Sequence, residues 1–170
     1  MISVTPDVFR LAQAFTISRG SKTEARVLTV RITRDGATGL GECVPYARYG
    51  ESLASVTAQI EGLPDTITRQ TLQSALPPGA ARNAVDCALW DLAAKASGQR
   101  VWTLANLPAP EPMQIAYTLS LDTPDRMRAA AAANAHRPLF GLNRRHQRHP
   151  GAVHPGRAAG VASPNHLGRD

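Results

Sequence analysis

A loop rich in tyrosine and arginine is the part of the sequence best suited to contact a ligand. It reads Pro45-Tyr46-Ala47-Arg48-Tyr49-Gly50-Glu51-Ser52. Aromatic side chains that stand beside an arginine on an exposed loop can recognise a small molecule. Tyr46, Arg48 and Tyr49 are therefore predicted to bind a ligand, and a cluster with a purely structural role is the alternative.

Two other patterns of reactive residues lie towards the C-terminus. His146-Gln147-Arg148-His149 has a spacing found in metal sites, but no cysteine or carboxylate lies nearby to complete one. Five arginines and four of the five histidines lie from Leu139 onward, and the chain has a net charge of +6. Because no aromatic residues are interleaved with these arginines and no recognition motif accompanies them, we predict neither a metal site nor specific binding of nucleic acid.

Three antiparallel strands are predicted to come first in the chain. They cover residues 2–11, 25–33 and 38–43, with a mobile loop at 15–23 and a tight turn at Asp35-Gly36. In the second strand Leu28, Val30 and Ile32 alternate with polar residues, which is typical of a half-buried strand. The sheet therefore precedes the tyrosine-rich loop.

Helices are predicted after that loop. Helical spacing runs from Leu53 to Leu63 and again from about Thr68 to Leu76. The longest periodic segment lies between Pro77-Pro78-Gly79 and Ser97-Gly98, and its mostly alanine stripe would let a neighbour approach closely. That stripe consists of Ala81, Ala84, Val85, Ala88, Leu89, Leu92 and Ala96. A sheet followed by a helical bundle predicts the α+β class.

A second, smaller unit is predicted beyond a stiff linker that contains Pro108, Pro110 and Pro112. Val101, Trp102 and Leu104 are predicted to close the first core before this linker. An alternating strand from Ile115 to Leu121 is followed by a helix that Asp122 or Thr123 caps and that begins at Pro124 and reaches about Ala135. The pattern is lost from Phe140, which predicts a disordered tail. The predicted divisions are residues 1–108, 113–138 and 139–170.

Composition restricts the class of protein further. At 170 residues, the chain is shorter than the roughly 250 residues of a (β/α)8 barrel. Cys43 and Cys87 provide no disulfide framework, and the N-terminus lacks the basic start and apolar run of a signal peptide. No apolar run approaches membrane-spanning length. We therefore expect a cytoplasmic protein without a membrane partner.

Three ordered segments resemble the N-terminal capping domain of the enolase superfamily, and most closely that of the dipeptide epimerases acting on L-Ala-D/L-Glu. They are Ala80-Ala81-Arg82-Asn83-Ala84-Val85-Asp86-Cys87-Ala88-Leu89-Trp90-Asp91-Leu92, the stretch from Gly41 to Ser52, and Tyr117-Thr118-Leu119-Ser120-Leu121 with Thr123-Pro124. The resemblance runs from about Ile2 to about Leu139. It implies an enolase-type capping domain followed by the first β/α unit of a truncated TIM barrel.

The resemblance also implies which residues face the substrate. Arg19 matches an arginine that binds the acidic end of the dipeptide, for which its forked guanidinium is suited. Thr118 matches a threonine on the first barrel strand, and Tyr46, Arg48 and Tyr49 belong to the second covering loop. Family members use magnesium to stabilise an enolate while two lysines remove and return the α-proton.

The groups that perform this chemistry in the family are missing from the sequence. Its only lysines are Lys22 and Lys95, and its only acidic residue beyond Asp125 is Asp170. We therefore predict no catalytic residue, no metal ligand and no cofactor within these 170 residues. We hypothesise a change of reading frame near Leu139 and early termination, which would account for the abrupt switch in composition. Resequencing the gene should then restore a Lys-x-Lys motif directly after Arg137-Pro138-Leu139, and an intact frame would refute the hypothesis.

Two hypotheses for function remain. In the first, the chain is the substrate-covering part of a dipeptide epimerase and has no turnover by itself. In the second, it is a stand-alone module that binds an acidic peptide or a protein partner. Burial of Ile115, Tyr117, Leu119 and Leu121 would stabilise by roughly 1.5 to 3 kcal/mol each, which favours the first hypothesis because a lone domain cannot cover them. The oligomeric state is left open.

Overall fold

The protein, described by a computed structural model over residues 1–18, 20–137 and 140–142, places a three-stranded antiparallel sheet before its helices. A second, two-stranded parallel sheet follows them. The strands are β1 (Ile2–Ile17), β2 (Gly20–Arg34), β3 (Ala37–Cys43), β4 (Tyr117–Leu119) and β5 (Phe140–Leu142). The helices are α1 (Leu53–Glu61), α2 (Arg69–Ala75), α3 (Ala80–Ser97), α4 (Val101–Leu104) and α5 (Pro124–Ala133). The predicted α+β arrangement is confirmed.

Strands β1 and β2 form a hairpin that is longer than predicted. The segment expected to be a mobile loop is paired, with Phe15 opposite Lys22 and Thr16 opposite Ser21, and the register shifts between Arg10 and Phe15. The hydroxyl of Thr16 also donates a 2.9 Å hydrogen bond to that of Ser21. Small hydroxyl side chains were interpreted as loop formers, but they also suit the cross-strand pairs of a sheet.

The central helix α3 packs directly on β3, as its alanine stripe predicted. Six residues of the stripe are buried, and only Ala96, at the exposed end of the helix, is not. A Cβ atom added at Gly39 would come within 2.6 Å of the Leu92 Cβ, and one added at Gly41 within 2.7 Å of the Ala88 N atom. Glycine on the strand and alanine on the helix therefore set the short distance between the two elements.

The core lies between the sheet and helices α1, α2 and α3. Leu28, Val30 and Ile32 are fully buried, which confirms the predicted inner face of β2. Ser52 and Thr68 each cap the helix that follows by accepting a hydrogen bond from a backbone N–H three residues later. These caps explain why α1 and α2 begin close to the predicted positions.

Two predictions about the segment after α3 are wrong. Val101, Trp102 and Leu104 do not close the core, because α4 is a single turn that packs on α3 and on no other described helix or strand. Val101 is 40% exposed. The predicted strand from Ile115 to Leu121 is also shorter, because β4 pairs only over the three residues that face β5, and Ile115 is 85% exposed.

The β4–α5–β5 segment forms the predicted β/α unit. Thr123 is the N-cap of α5 and accepts a hydrogen bond from the Arg126 N–H at 3.4 Å. Loss of the strand pattern at Phe140 was predicted, but Phe140–Leu142 pairs in parallel with β4. Three residues are too few for an alternating pattern to be recognised. The remainder of the predicted disordered tail lies outside the described residues.

Candidate functional site

A cleft of about 530 Å³ lies between the tip of the β1–β2 hairpin and the loop that follows β3. The hairpin contributes Phe15, Ile17 and Lys22, and the loop contributes Tyr46 and Arg48. Among the residues that the structure describes, the lining therefore combines an apolar wall with two cations and includes no carboxylate. Such a lining favours a small ligand that carries negative charge beside an apolar portion.

Hydrogen bonds with the two residues that directly follow β4 hold the hairpin tip in place. The Thr16 N–H donates to the Ser120 Oγ at 2.8 Å, and the Leu121 N–H donates to the Thr16 carbonyl at 2.8 Å. The Ser120 hydroxyl donates in turn to the Ala14 carbonyl at 3.2 Å. One wall of the cleft is thus tied to the strand that carries Thr118.

A second depression, of about 400 Å³, lies on the other side of Tyr46. Its lining includes Glu42, Cys43, Tyr49 and Glu51. The rings of Tyr46 and Tyr49 pack against each other with centroids 5.5 Å apart and planes tilted by 58°. Tyr46 therefore separates the two depressions, and its ring position affects both.

Glu51 joins the tyrosine-rich loop to the first turn of α3. Its Oε1 accepts a hydrogen bond from the Ala80 N–H at 2.7 Å, and its Oε2 accepts one from the Tyr46 N–H at 3.0 Å. These two hydrogen bonds hold the pKa of the Glu51 carboxyl below its ordinary value, and the bond from Ala80 has the larger effect. The carboxylate is thereby committed to holding the loop.

Reactivity of the two cysteines is expected to differ because only one of them is buried. Burial, with added repulsion from Glu51 and Glu42, raises the pKa of the Cys43 thiol to about 11. Partial burial and the nearby Asp86 also raise the pKa of the Cys87 thiol, but Cys87 is exposed on α3 and open to the reagent. At pH 8 the Cys43 thiol stays protonated, so iodoacetamide should alkylate Cys87 and leave Cys43 unmodified in the folded chain. Peptide mass spectrometry measures this; equal labelling of both would contradict the position of β3 under α3.

The structure brings some of the predicted site residues together. Tyr46 and Arg48 share the cleft, while Tyr49, 76% exposed, lines the second depression instead. Thr118 is exposed in the middle of β4 and lines neither depression. Arg19 lies outside the described residues. Their roles in substrate binding stay predictions.

Sequence reasoning did not predict the cleft's Phe15, Ile17 and Lys22. The segment that contains them was interpreted as a mobile loop. The alternation of Phe15 and Ile17 along one strand, with Lys22 opposite Phe15, is the signal that would have placed them on one wall.

Comparison with known proteins assigns residues 1–105 to one family. Residues 1–105 match the family model of the mandelate racemase/muconate lactonizing enzyme N-terminal domain. This match covers more than half of the chain. The chain therefore belongs to this family of the enolase superfamily, as the resemblance predicted.

Three relatives of this chain are epimerases or are described as homologous to epimerases. The chain is 47% identical over 135 residues to the L-Ala-D/L-Glu epimerase of Escherichia coli K12, covering 77% of this chain and 42% of the relative. It superimposes with a TM-score of 0.78 and 52% identity on an enolase family member from Agrobacterium tumefaciens with homology to dipeptide epimerases, solved with sodium and L-Ala-L-Glu. That match covers 84% of this chain and 45% of the other.

A dipeptide epimerase from Cytophaga hutchinsonii, solved with Mg and D-Ala-L-Val, matches with a TM-score of 0.67 and 28% identity. It covers 79% of this chain and 40% of that structure. The chain thus spans less than half the length of each of these three relatives.

The residues described here do not fit the magnesium ion of the family. Within 1–18, 20–137 and 140–142, no three His, Cys, Asp or Glu side chains come together where they could hold a metal ion. No step through a metal is therefore derived from this site. In the same residues, no helix combines the length and apolarity that crossing a bilayer requires.

Proposed function

We propose that this chain is the capping domain and first β/α unit of a dipeptide epimerase, and that it covers the acidic dipeptide without turning it over. The cleft between the hairpin tip and the tyrosine-rich loop is the observation that carries this proposal. It gathers Arg48, Lys22 and Tyr46 at one mouth, where a carboxylate side chain would find two cations.

Arg19 and Thr118 complete the proposed set of substrate-facing residues, with Tyr46, Arg48 and Tyr49. Arg19 follows the cleft residue Ile17 in the chain by two positions. Thr118 lies on β4, two residues before the Ser120 hydroxyl that holds the hairpin tip. Both positions support a substrate that lies between the hairpin and the end of β4.

The uncovered apolar residues in the segment that leads from α4 to β4 support the barrel part of the proposal. Leu107, Met113 and Ile115 are 61%, 86% and 85% exposed. Burying side chains of this size stabilises a protein by roughly 1.5 to 3 kcal/mol each. A barrel wall packed on this segment would bury them, whereas a stand-alone module would leave them in water.

The proposed absence of turnover rests on the lysines found within these 170 residues. Neither Lys22, in the cleft at the hairpin tip, nor Lys95, whose ammonium group contacts Asp91 at 2.6 Å on α3, stands on a barrel strand. Proton removal from a carbon next to a carboxylate needs a base and a group that stabilises the enolate. The proposed role of the chain is therefore to cover and orient the substrate.

A chimera tests this function directly. Residues 1–108 of this chain would replace the corresponding part of the E. coli L-Ala-D/L-Glu epimerase, and the chimera should epimerise L-Ala-L-Glu. In it, Arg48→Ala should raise KM about tenfold or more, because a charge-assisted hydrogen bond contributes about 1.5–3 kcal/mol. Arg19→Ala should act similarly, and kcat should change less.

Arg26→Ala is the matched control for this chimera. Arg26 lies on the same hairpin but pairs with Glu24 at the surface, outside the cleft. A folded chimera without turnover, or equal KM values for the Arg48 and Arg26 variants, would contradict the proposed function. Micromolar binding of L-Ala-L-Glu by the unmodified chain without magnesium would support the stand-alone binding module instead.

A further inference from the structure

The first turn of α3 lacks a cap from its own sequence. Its N-cap residue is Gly79, which has no side chain to accept a hydrogen bond. The Ala80 N–H instead donates to the Oε1 atom of Glu51, a residue that lies 29 positions earlier in the chain. A carboxylate at this position also complements the positive end of the helix dipole. Glu51 therefore acts as the cap that Gly79 cannot provide.

Gly79 leaves the space that this carboxylate occupies. A Cβ atom at position 79 would come within 2.9 Å of the Glu51 Oε1. This is closer than two such atoms approach in practice. A side chain at position 79 would therefore require the Glu51 carboxylate to shift from its capping position.

The second oxygen of Glu51 closes the tyrosine-rich loop on itself. The Tyr46 N–H donates to it, and between these two residues the chain makes a 3₁₀ turn over Ala47–Tyr49 and then passes through Gly50 at φ +74°. Glu51, the acidic residue of the loop, therefore closes the loop at its base. That base is attached to α3, which packs on the sheet.

Tyr46 and Arg48, which line the ligand cleft, lie within this closed loop. Moving the base of the loop away from α3 would displace both side chains together. The position of one cleft wall thus depends on a single carboxylate that does not itself line that cleft.

We propose that Glu51 is the positioning residue of this cleft, holding Tyr46 and Arg48 in place by bridging the loop to the N-terminus of α3. The ligand-binding purpose of this bridge rests on the proposed function. The bridge itself does not, so it is tested without any ligand. Glu42 and Cys43 on β3 and the hydroxyls of Tyr46 and Tyr49 are the other titratable groups of the depression that faces Glu51.

Amide NMR of the full chain tests the bridge. Glu51→Gln keeps the size of the side chain but has one acceptor oxygen in place of two, so hydrogen exchange should accelerate about tenfold at the Tyr46 amide, the Ala80 amide or both. The Val56 amide in α1 should be unaffected. Glu61→Gln, at the exposed end of α1, is the matched control.

Two further measurements make the test independent of one variant. Glu51→Asp keeps the charge but is one methylene shorter, so it should also lose protection at the Tyr46 amide. In the unmodified chain, the Tyr46 and Ala80 amide shifts should titrate together, with a midpoint below the ordinary glutamate pKa of 4.5, and this should persist in a Glu42→Gln background. The titration remains available if a Glu51 variant fails to fold.

Distinct outcomes separate this proposal from the proposed function. Unchanged exchange at both the Tyr46 and Ala80 amides in Glu51→Gln would overturn the bridge. In the chimera, Glu51→Gln should raise KM for L-Ala-L-Glu with kcat within about twofold, as expected for a residue that acts through the cleft wall. A chimera that never turns over, combined with a positive NMR result, would refute the proposed function and leave the bridge standing.

Discussion

Replacing Gly41 by alanine is expected to lower the free energy of unfolding by about 3 kcal/mol, at the upper end of what overpacking typically costs. The added Cβ would overlap the Ala84 carbonyl oxygen and lie 2.7 Å from the Ala88 N atom. Both are backbone atoms of α3, so no rotamer change can relieve the overlap. The helix must move away from the sheet, and its buried stripe loses contact with β3.

Urea denaturation followed by circular dichroism measures this effect, and Gly62→Ala is the matched control. At position 62 a Cβ would come no closer than 3.4 Å to the Ala58 carbonyl oxygen, and φ is −74°. Alanine there should change stability by no more than about 1 kcal/mol, because it removes freedom from the unfolded chain without creating strain. Equal stability of the two variants would contradict the packing of α3 on β3.

Replacing Leu28 by alanine is expected to cost about 2–5 kcal/mol of stability. Leu28 is completely buried on β2 between the sheet and the helices. Truncation leaves a cavity whose walls belong to regular elements that cannot collapse fully. For a single domain with a net stability of about 5–15 kcal/mol, this is a substantial part of the total.

Leu40→Ala is the matched control, because it makes the same truncation on the face of the sheet that does not form the core. Leu40 has the same side chain and lies on the adjacent strand, but it is 41% exposed. Its truncation should cost at most about 1 kcal/mol. A comparable loss for both variants, measured by the same urea titration, would mean that the outer face of the sheet is also covered in solution.

The elements with clear periodicity were predictable from the sequence. The alternation of Leu28, Val30 and Ile32 and the alanine stripe of α3 each bury one face, so pattern and packing agree. Ser52 and Thr68 mark helix starts because their side chains satisfy backbone N–H groups locally. Such features depend only on residues that are close together in the chain.

Features that depend on distant residues were not predictable in this way. The hairpin tip at Phe15–Lys22 is stabilised in part by Ser120, more than 100 positions later. Glu51 reaches Ala80 across α1 and α2, and no local spacing indicates that contact. Likewise, Trp102 has a large side chain of the kind found in cores, yet the single turn of α4 that carries it does not reach the sheet. Local sequence periodicity predicts the helices and strands, whereas the cleft depends on contacts between elements that are distant in the chain.

The central claim is that this chain covers a substrate but lacks the groups that exchange its α-proton. The direct test is to incubate the purified chain with L-Ala-L-Glu and magnesium in deuterated buffer and to follow deuterium incorporation at the α-carbons by NMR. The E. coli L-Ala-D/L-Glu epimerase serves as the positive control. We expect no incorporation above that in buffer alone; sustained exchange that scales with the concentration of the chain would contradict the claim.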